Sequence, residues 1–204
     1  MEGNVTNQER VLCLARERGI VRPRDLQGQG IARETLRRLC ERGLLERSGR
    51  GLYRLASAPL TEHHSLAAVT KLVPQGVICL LSALRFHDLT TQEPHEIWLA
   101  LPLRSHQPKI EYPPLQIVRM NAATHEAGIE THEIEKVPVR VFGVAKTIAD
   151  CFKYRSLVGL DVALEALREG WRERRFTSDE LWHYARLCRV ANVMRPYIEA
   201  TVAS

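Results

Sequence analysis

The order of structural signals between Thr6 and Leu55 limits what this chain can become more than any other feature. Thr6-Asn7-Gln8-Glu9 is a capping box, in which the hydroxyl of Thr6 accepts from a helical amide and Glu9 reaches back. Val11, Leu12 and Ala15 then recur at helical spacing until Gly19 stops the run. Ile20-Val21 reads as a short extended piece. Pro23 suits the first turn of a short second helix over 24–27, which can bury Leu26. Gly28-Gln29-Gly30 is a turn, and a third helix is predicted over 31–42. On it Leu36, Leu39 and Cys40 share one face, while Glu34, Arg37, Arg38 and Glu41 point away or sideways. Gly43 ends that helix. Leu44-Leu45-Glu46-Arg47 and Leu52-Tyr53-Arg54-Leu55 then flank the turn Ser48-Gly49-Arg50-Gly51, a hairpin with a glycine-rich, basic tip. Three helices and a hairpin in this order form a winged helix-turn-helix.

Charge sharpens that reading. Residues 1–57 hold twelve arginines, no lysine and seven acids, so 12 − 7 = +5. The remainder holds 29 − 12 = 17 basic and 24 − 7 = 17 acidic residues and is neutral. All of the excess positive charge therefore lies in the first quarter of the chain, the pattern of a polyanion-binding module joined to a neutral partner domain. Arginine also has the planar fork that suits phosphate and guanine. The third helix is narrow enough for the major groove, and Arg33, Arg37 and Arg38 on it are the expected contacts with base edges. Glu34 is a candidate acceptor from cytosine or a solvated carboxylate. Gln29, just before the helix, can donate to phosphate, and Arg24 adds a cation on the second helix. Arg47, Arg50 and Arg54 on the wing are expected to meet phosphates or the minor groove. The competing use of such a module is protein contact, which the placement of the charge disfavours.

The remaining 58–204 reads as a mixed α+β domain, so the fold class is α+β with an N-terminal winged helix-turn-helix over 1–57. Helices are predicted over 60–73, 77–87, 144–154 and 159–172, with a capped one starting at Thr177 and a last one over 192–202. Strands are predicted over 97–101 and 115–120, with a hairpin pairing 131–134 and 139–142 about a turn at 135–138. Residues 104–114, basic and proline-containing, read as a loop with room for a short edge strand. No internal repeat is present.

Composition and motifs exclude several functions. The 45% hydrophobic and 26% charged content is that of an ordinary globular protein. No apolar run approaches the roughly 20 residues needed to cross a bilayer. Met1-Glu2-Gly3-Asn4 has no basic leader, and Cys13, Cys40, Cys79, Cys151 and Cys188 are an odd, widely spaced set, so a cytoplasmic location with reduced thiols is expected. There is no Gly-rich phosphate cradle, GxSxG elbow or HExxH pair. His63, His64, His87 and His95 match no metal spacing, even with Cys79 nearby. The acids Glu93, Glu96, Asp150 and Asp161 are scattered, and Glu133-Ile134-Glu135-Lys136 has the wrong register for a metal-dependent nuclease strand. Asp150, beside Lys146 and Thr147 on one helix, reads as a structural hydrogen bond or ion pair. The expectation is a protein that is not an enzyme and takes no metal or cofactor.

The run Gly30-Ile31-Ala32-Arg33, Leu36-Arg37-Arg38-Leu39, Gly43-Leu44-Leu45-Glu46-Arg47 and Arg50-Gly51-Leu52-Tyr53-Arg54-Leu55 resembles the winged helix of AbiEi-type antitoxins. Leu80-Leu81-Ser82-Ala83-Leu84 with His87-Asp88-Leu89-Thr90 is similar to that family's entry into its second domain. Glu96-Ile97-Trp98-Leu99-Ala100-Leu101-Pro102, Lys146-Thr147-Ile148-Ala149-Asp150-Cys151 and Asp161-Val162-Ala163-Leu164-Glu165-Ala166-Leu167 follow in the same order. The resemblance spans about residues 6–175. It implies an antitoxin of the type IV, abortive-infection class that represses its own operon by binding inverted repeats in promoter DNA, with self-association on that DNA. It also implies a nucleotidyltransferase toxin as functional partner, opposed without a stable complex, and an antitoxin role for 58–204. Two other readings stay open beside it. One is a stand-alone transcriptional regulator whose second domain senses a ligand or dimerises. The other is an enzyme guided by its winged helix.

Overall fold

A computed structural model describes residues 6–202. The expectation for Met1-Glu2-Gly3-Asn4 lies outside the described residues. The chain divides into two compact units, one of Met1–Pro74 with Glu133–Val139 and one of Gln75–His132 with Arg140–Ser204.

In the first unit, α1 (Asn7–Arg18) opens on the Thr6 capping box and closes at Gly19. β1 (Ile20–Val21) follows, then a 3-10 turn at Pro23–Leu26 with proline at its start. α2 (Glu34–Glu41) starts three residues later than the sequence suggests, because Ile31 is buried ahead of the helix rather than within it. β2 (Leu45–Gly49) and β3 (Leu52–Leu55) make the hairpin, with an irregularity between Arg47 and Gly49. The sheet order is β1-β3-β2, both pairings antiparallel. A first strand laid on the far side of the hairpin is the arrangement of a winged helix. Val11, Leu14, Ala15, Val21, Leu26, Ile31, Leu36, Leu39 and Leu45 form one buried cluster, so the helical and strand periodicities converge on a single core. α3 (His64–Leu72) completes the continuous part of this unit.

Residues 133–139, the tip of a later hairpin, also count with the first unit. There Glu135 (φ 51°) and Lys136 (φ 64°) both take the left-handed conformation that favours glycine. The strain is offset by contacts. The amide and hydroxyl of Thr61 donate to Glu135 Oε1 at 2.9 and 3.0 Å, and His64 Nδ1 lies 2.7 Å from Oε2. Lys136 Nζ donates to the Arg16 carbonyl at 2.7 Å. Gly19 has φ 65°, and a Cβ there would sit 1.7 Å from the Glu135 carbonyl oxygen, so both conformation and space require glycine.

The second unit is built on β4 (Val77–Ile78), β5 (Ile97–Pro102), β6 (Leu115–Met120), β7 (Ile129–Ile134) and β8 (Val137–Phe142), in the sheet order β6-β5-β4-β8-β7. β5 runs parallel to β6 and antiparallel to β4, and β4 is parallel to β8. Val77 and Ile78, expected at the head of a helix, are instead the short central strand, and α4 (Leu80–Phe86) begins only after them. α5 (Ala122–Glu126) is a short helix that the sequence reading misses, and Pro138 stands within β8 rather than in a turn. α6 (Val144–Lys153), α7 (Arg155–Val158), α8 (Leu160–Arg172), α9 (Ser178–Leu187) and α10 (Ala191–Val202) follow, α9 again with a capping box at Thr177. α6 packs against α4, α8 and α9 and is buried along its whole length but for Lys153. No helix among the described residues is long and apolar enough to cross a membrane.

Candidate nucleic-acid interface

Exposed arginines of the winged helix stand on the outer side of α2 and at the hairpin tip. Leu36 and Leu39 turn inward with 1% and 0% exposure, which fixes the rotation of α2 and leaves Arg33, Glu34, Arg37 and Arg38 outside. From Arg33 to Arg42 the segment carries four arginines against two glutamates, a net of 4 − 2 = +2.

Arg33 is exposed just ahead of the first turn of α2. Arg37 is bracketed by carboxylates: its Nε donates to Glu34 Oε1 at 2.8 Å, and its terminal nitrogens donate to Glu34 and Glu41. The hydrogen bond from Arg37 holds the Glu34 carboxyl below its ordinary value. Arg38 is exposed, its Nε 3.9 Å from Glu34. Arg24 is exposed on the 3-10 turn, one terminal nitrogen 3.5 Å from the Lys71 carbonyl. Gln29 is half-buried and donates to the Asp25 carbonyl at 3.3 Å, so it braces the turn before α2. On the wing, Arg47 is exposed with its Nε donating to the Gly49 carbonyl at 3.2 Å, and Arg50 is exposed at the tip.

Arg54 departs from the expectation. It is only 5% exposed, paired with Glu46 and donating to the Ala58 carbonyl at 2.6 Å. It anchors the hairpin from inside and presents no free face to a phosphate. The signal was available, because a strand alternates sides and Arg54 falls on the side of the buried Leu52. Sequence reasoning also leaves Glu41 without a role, although its spacing of four from Arg37 is that of facing helical neighbours. Arg42, at the C-terminal end of α2, donates to Gln8 Oε1 at 2.7 Å.

The polar residues of the second unit are arranged differently. Lys146 and Asp150, four apart on α6, pair with side chains 0% and 1% exposed. Cys188 Sγ lies 3.1 Å from Asp150 Oδ1, and Lys146 Nζ stands 4.1 Å from the Phe142 ring centre. Burial pushes the Asp150 carboxyl up despite Lys146. It raises the thiol of Cys188 to about 12 and those of Cys79 and Cys151 well up, so none is a thiolate nucleophile at neutral pH. His87 Nε2 donates to the Phe142 carbonyl at 2.8 Å, and burial pulls its imidazole down. Among the described residues no group of three or more His, Cys, Asp or Glu is placed to hold a metal ion.

The fold and this surface define a winged-helix protein with an arginine-bearing third helix. Residues 9–56 match the family model described as a transcriptional regulator, the AbiEi antitoxin. Over that stretch the chain is similar to the AbiEi antitoxin family, as the sequence resemblance implies. The chain also shares its fold with a crystal structure of the RV2827C protein from Mycobacterium tuberculosis, at 15% identity and a TM-score of 0.59. That likeness covers 96% of this chain and 81% of the other. No curated protein sequence matches the chain.

Proposed function

We propose that this protein is a DNA-binding antitoxin and autorepressor of a type IV toxin–antitoxin operon, acting in the cytoplasm by binding and without catalysis. It recognises inverted repeats in its own promoter through α2, with Arg33, Arg37 and Arg38 at base edges. Arg24 and Gln29 hold the approach to the groove, and Arg47 and Arg50 meet phosphates on the wing. The observation that carries this reading is the coincidence of a family-matched winged helix with all of the chain's excess positive charge. In functional terms residues 1–57 bind DNA and 58–204 carry antitoxicity. The partner is a nucleotidyltransferase toxin, opposed without a stable complex, and copies of the protein associate on DNA.

The test is a gel-shift titration of the full chain against its own promoter beside random duplex of equal length. Salt-sensitive, cooperative binding that prefers the promoter supports the repressor. Equal affinity for both removes a specific promoter role. Co-expression with the neighbouring toxin gene then separates the antitoxin from a stand-alone regulator, which gives no rescue.

A further inference from the structure

Arg37 stands on α2 with one carboxylate three residues behind it and another four residues ahead. All three side chains are open to solvent, at 63% for Arg37, 46% for Glu34 and 56% for Glu41. A guanidinium has five N–H donors. Three are engaged here: Nε and one terminal nitrogen donate to Glu34, and the other terminal nitrogen donates to Glu41. One N–H is left on each terminal nitrogen. Two donors on neighbouring nitrogens are what the N7 and O6 acceptors of guanine take in a bidentate contact.

We infer that Glu34 and Glu41 are positioning residues that hold Arg37 as a pre-set reader of guanine. The inference rests on the DNA-binding reading above and assigns the base that α2 reads at this position. Two effects follow from the geometry. A guanidinium already held by two carboxylates loses less side-chain freedom when it meets the base. The same carboxylates repel phosphates, so docking that offers no guanine to Arg37 is disfavoured, which is discrimination by repulsion. Exposed pairs of this kind are weak one by one, so they orient Arg37 without locking it away from DNA. Arg38, 3.9 Å from Glu34, is held far less closely and carries no comparable preset.

The experiment uses the full chain and three kinds of duplex: the promoter, random DNA, and promoter in which single guanines are replaced by 7-deazaguanine, which lacks the N7 acceptor. The wild type is expected to lose about tenfold in affinity at one guanine in each half-site. In Glu34→Gln/Glu41→Gln that loss shrinks below about threefold, and random DNA binds severalfold tighter. Glu34→Asp/Glu41→Asp keeps both charges and shortens both arms. It also loses the guanine penalty, with affinity for random DNA at the wild-type level, which separates placement from charge. A full penalty retained in either double variant overturns the inference, as does a wild type indifferent to the loss of every N7. Either result leaves the promoter reading intact if the wild type still prefers unmodified promoter. Failure of that preference overturns both.

Discussion

Two helices of this protein carry an acid and a base four residues apart, and they put the spacing to opposite uses. On α2, Arg37 and Glu41 meet in full view of solvent, and Glu34 joins them from the preceding turn. On α6, Lys146 and Asp150 make the same i,i+4 pair inside a core of Phe142, Cys151, Phe152 and Cys188. Local sequence chemistry is nearly identical, yet solvent decides the meaning. In water such a pair is worth little and its members stay available to another partner. In the core the desolvated charges depend on one another, and neither is free for anything else. The charges of the α2 array stay open to an outside partner, whereas those of the α6 pair are closed inside the core.

The sharpest way to break this comparison is Asp150→Ala. It strands the Lys146 ammonium in the core and removes the acceptor near Cys188, so it should cost about 3–5 kcal/mol of folding stability. Denaturant melts of the full chain measure it. A loss below about 1 kcal/mol would mean that Lys146 finds another partner or water, and the contrast between the helices would fall.

How much of this was readable beforehand follows the same line between local and distant. Both capping boxes, at Thr6 and Thr177, and the stop at Gly19 were legible because their partners lie within four residues. The arginine excess and the outward side of α2 were legible for the same reason. Val77 and Ile78 were misread as helix because their strand character comes from pairing with Ala100, Leu99 and Val141, far along the chain. The attachment of 133–139 to the first unit depends on Thr61, His64 and Arg16, and no local pattern announces it. Arg54 was missed despite a local signal, since basic residues near a wing invite an outward reading that the strand alternation contradicts.

Arg54 gives the next prediction, because it carries the comparison into the winged helix itself. Arg54→Ala leaves Glu46 and the Ala58 carbonyl without their donor, a loss of about 1–3 kcal/mol in stability. Once folded, its affinity per molecule for random DNA should match the wild type. A normal melting curve with weakened DNA binding would return Arg54 to the wing's contact surface.

Arg37→Ala tests the opposite case. The side chain is exposed, so the melting temperature should stay near that of the wild type while affinity for the promoter falls roughly 5- to 150-fold and base preference relaxes at one position. Affinity left unchanged would take the middle of α2 out of the interface. A large drop in melting temperature with proportionate loss of binding would make the Glu34–Arg37–Glu41 array structural, like the pair on α6.

The smallest effect belongs to Arg50 at the wing tip. A phosphate contact is indifferent to sequence, so Arg50→Ala should weaken promoter and random DNA by the same few-fold factor. Its distinguishing mark is the salt dependence. Removing one phosphate contact releases one fewer set of condensed counterions, and the slope of log affinity against log salt should become shallower by about 0.9. If promoter affinity falls more than random affinity, the tip is reading groove width or a base edge, and the wing shares with α2 the work of discrimination. If the slope does not move, Arg50 stays off the phosphates, and the exposed charge of the first unit acts through α2 and Arg47 instead.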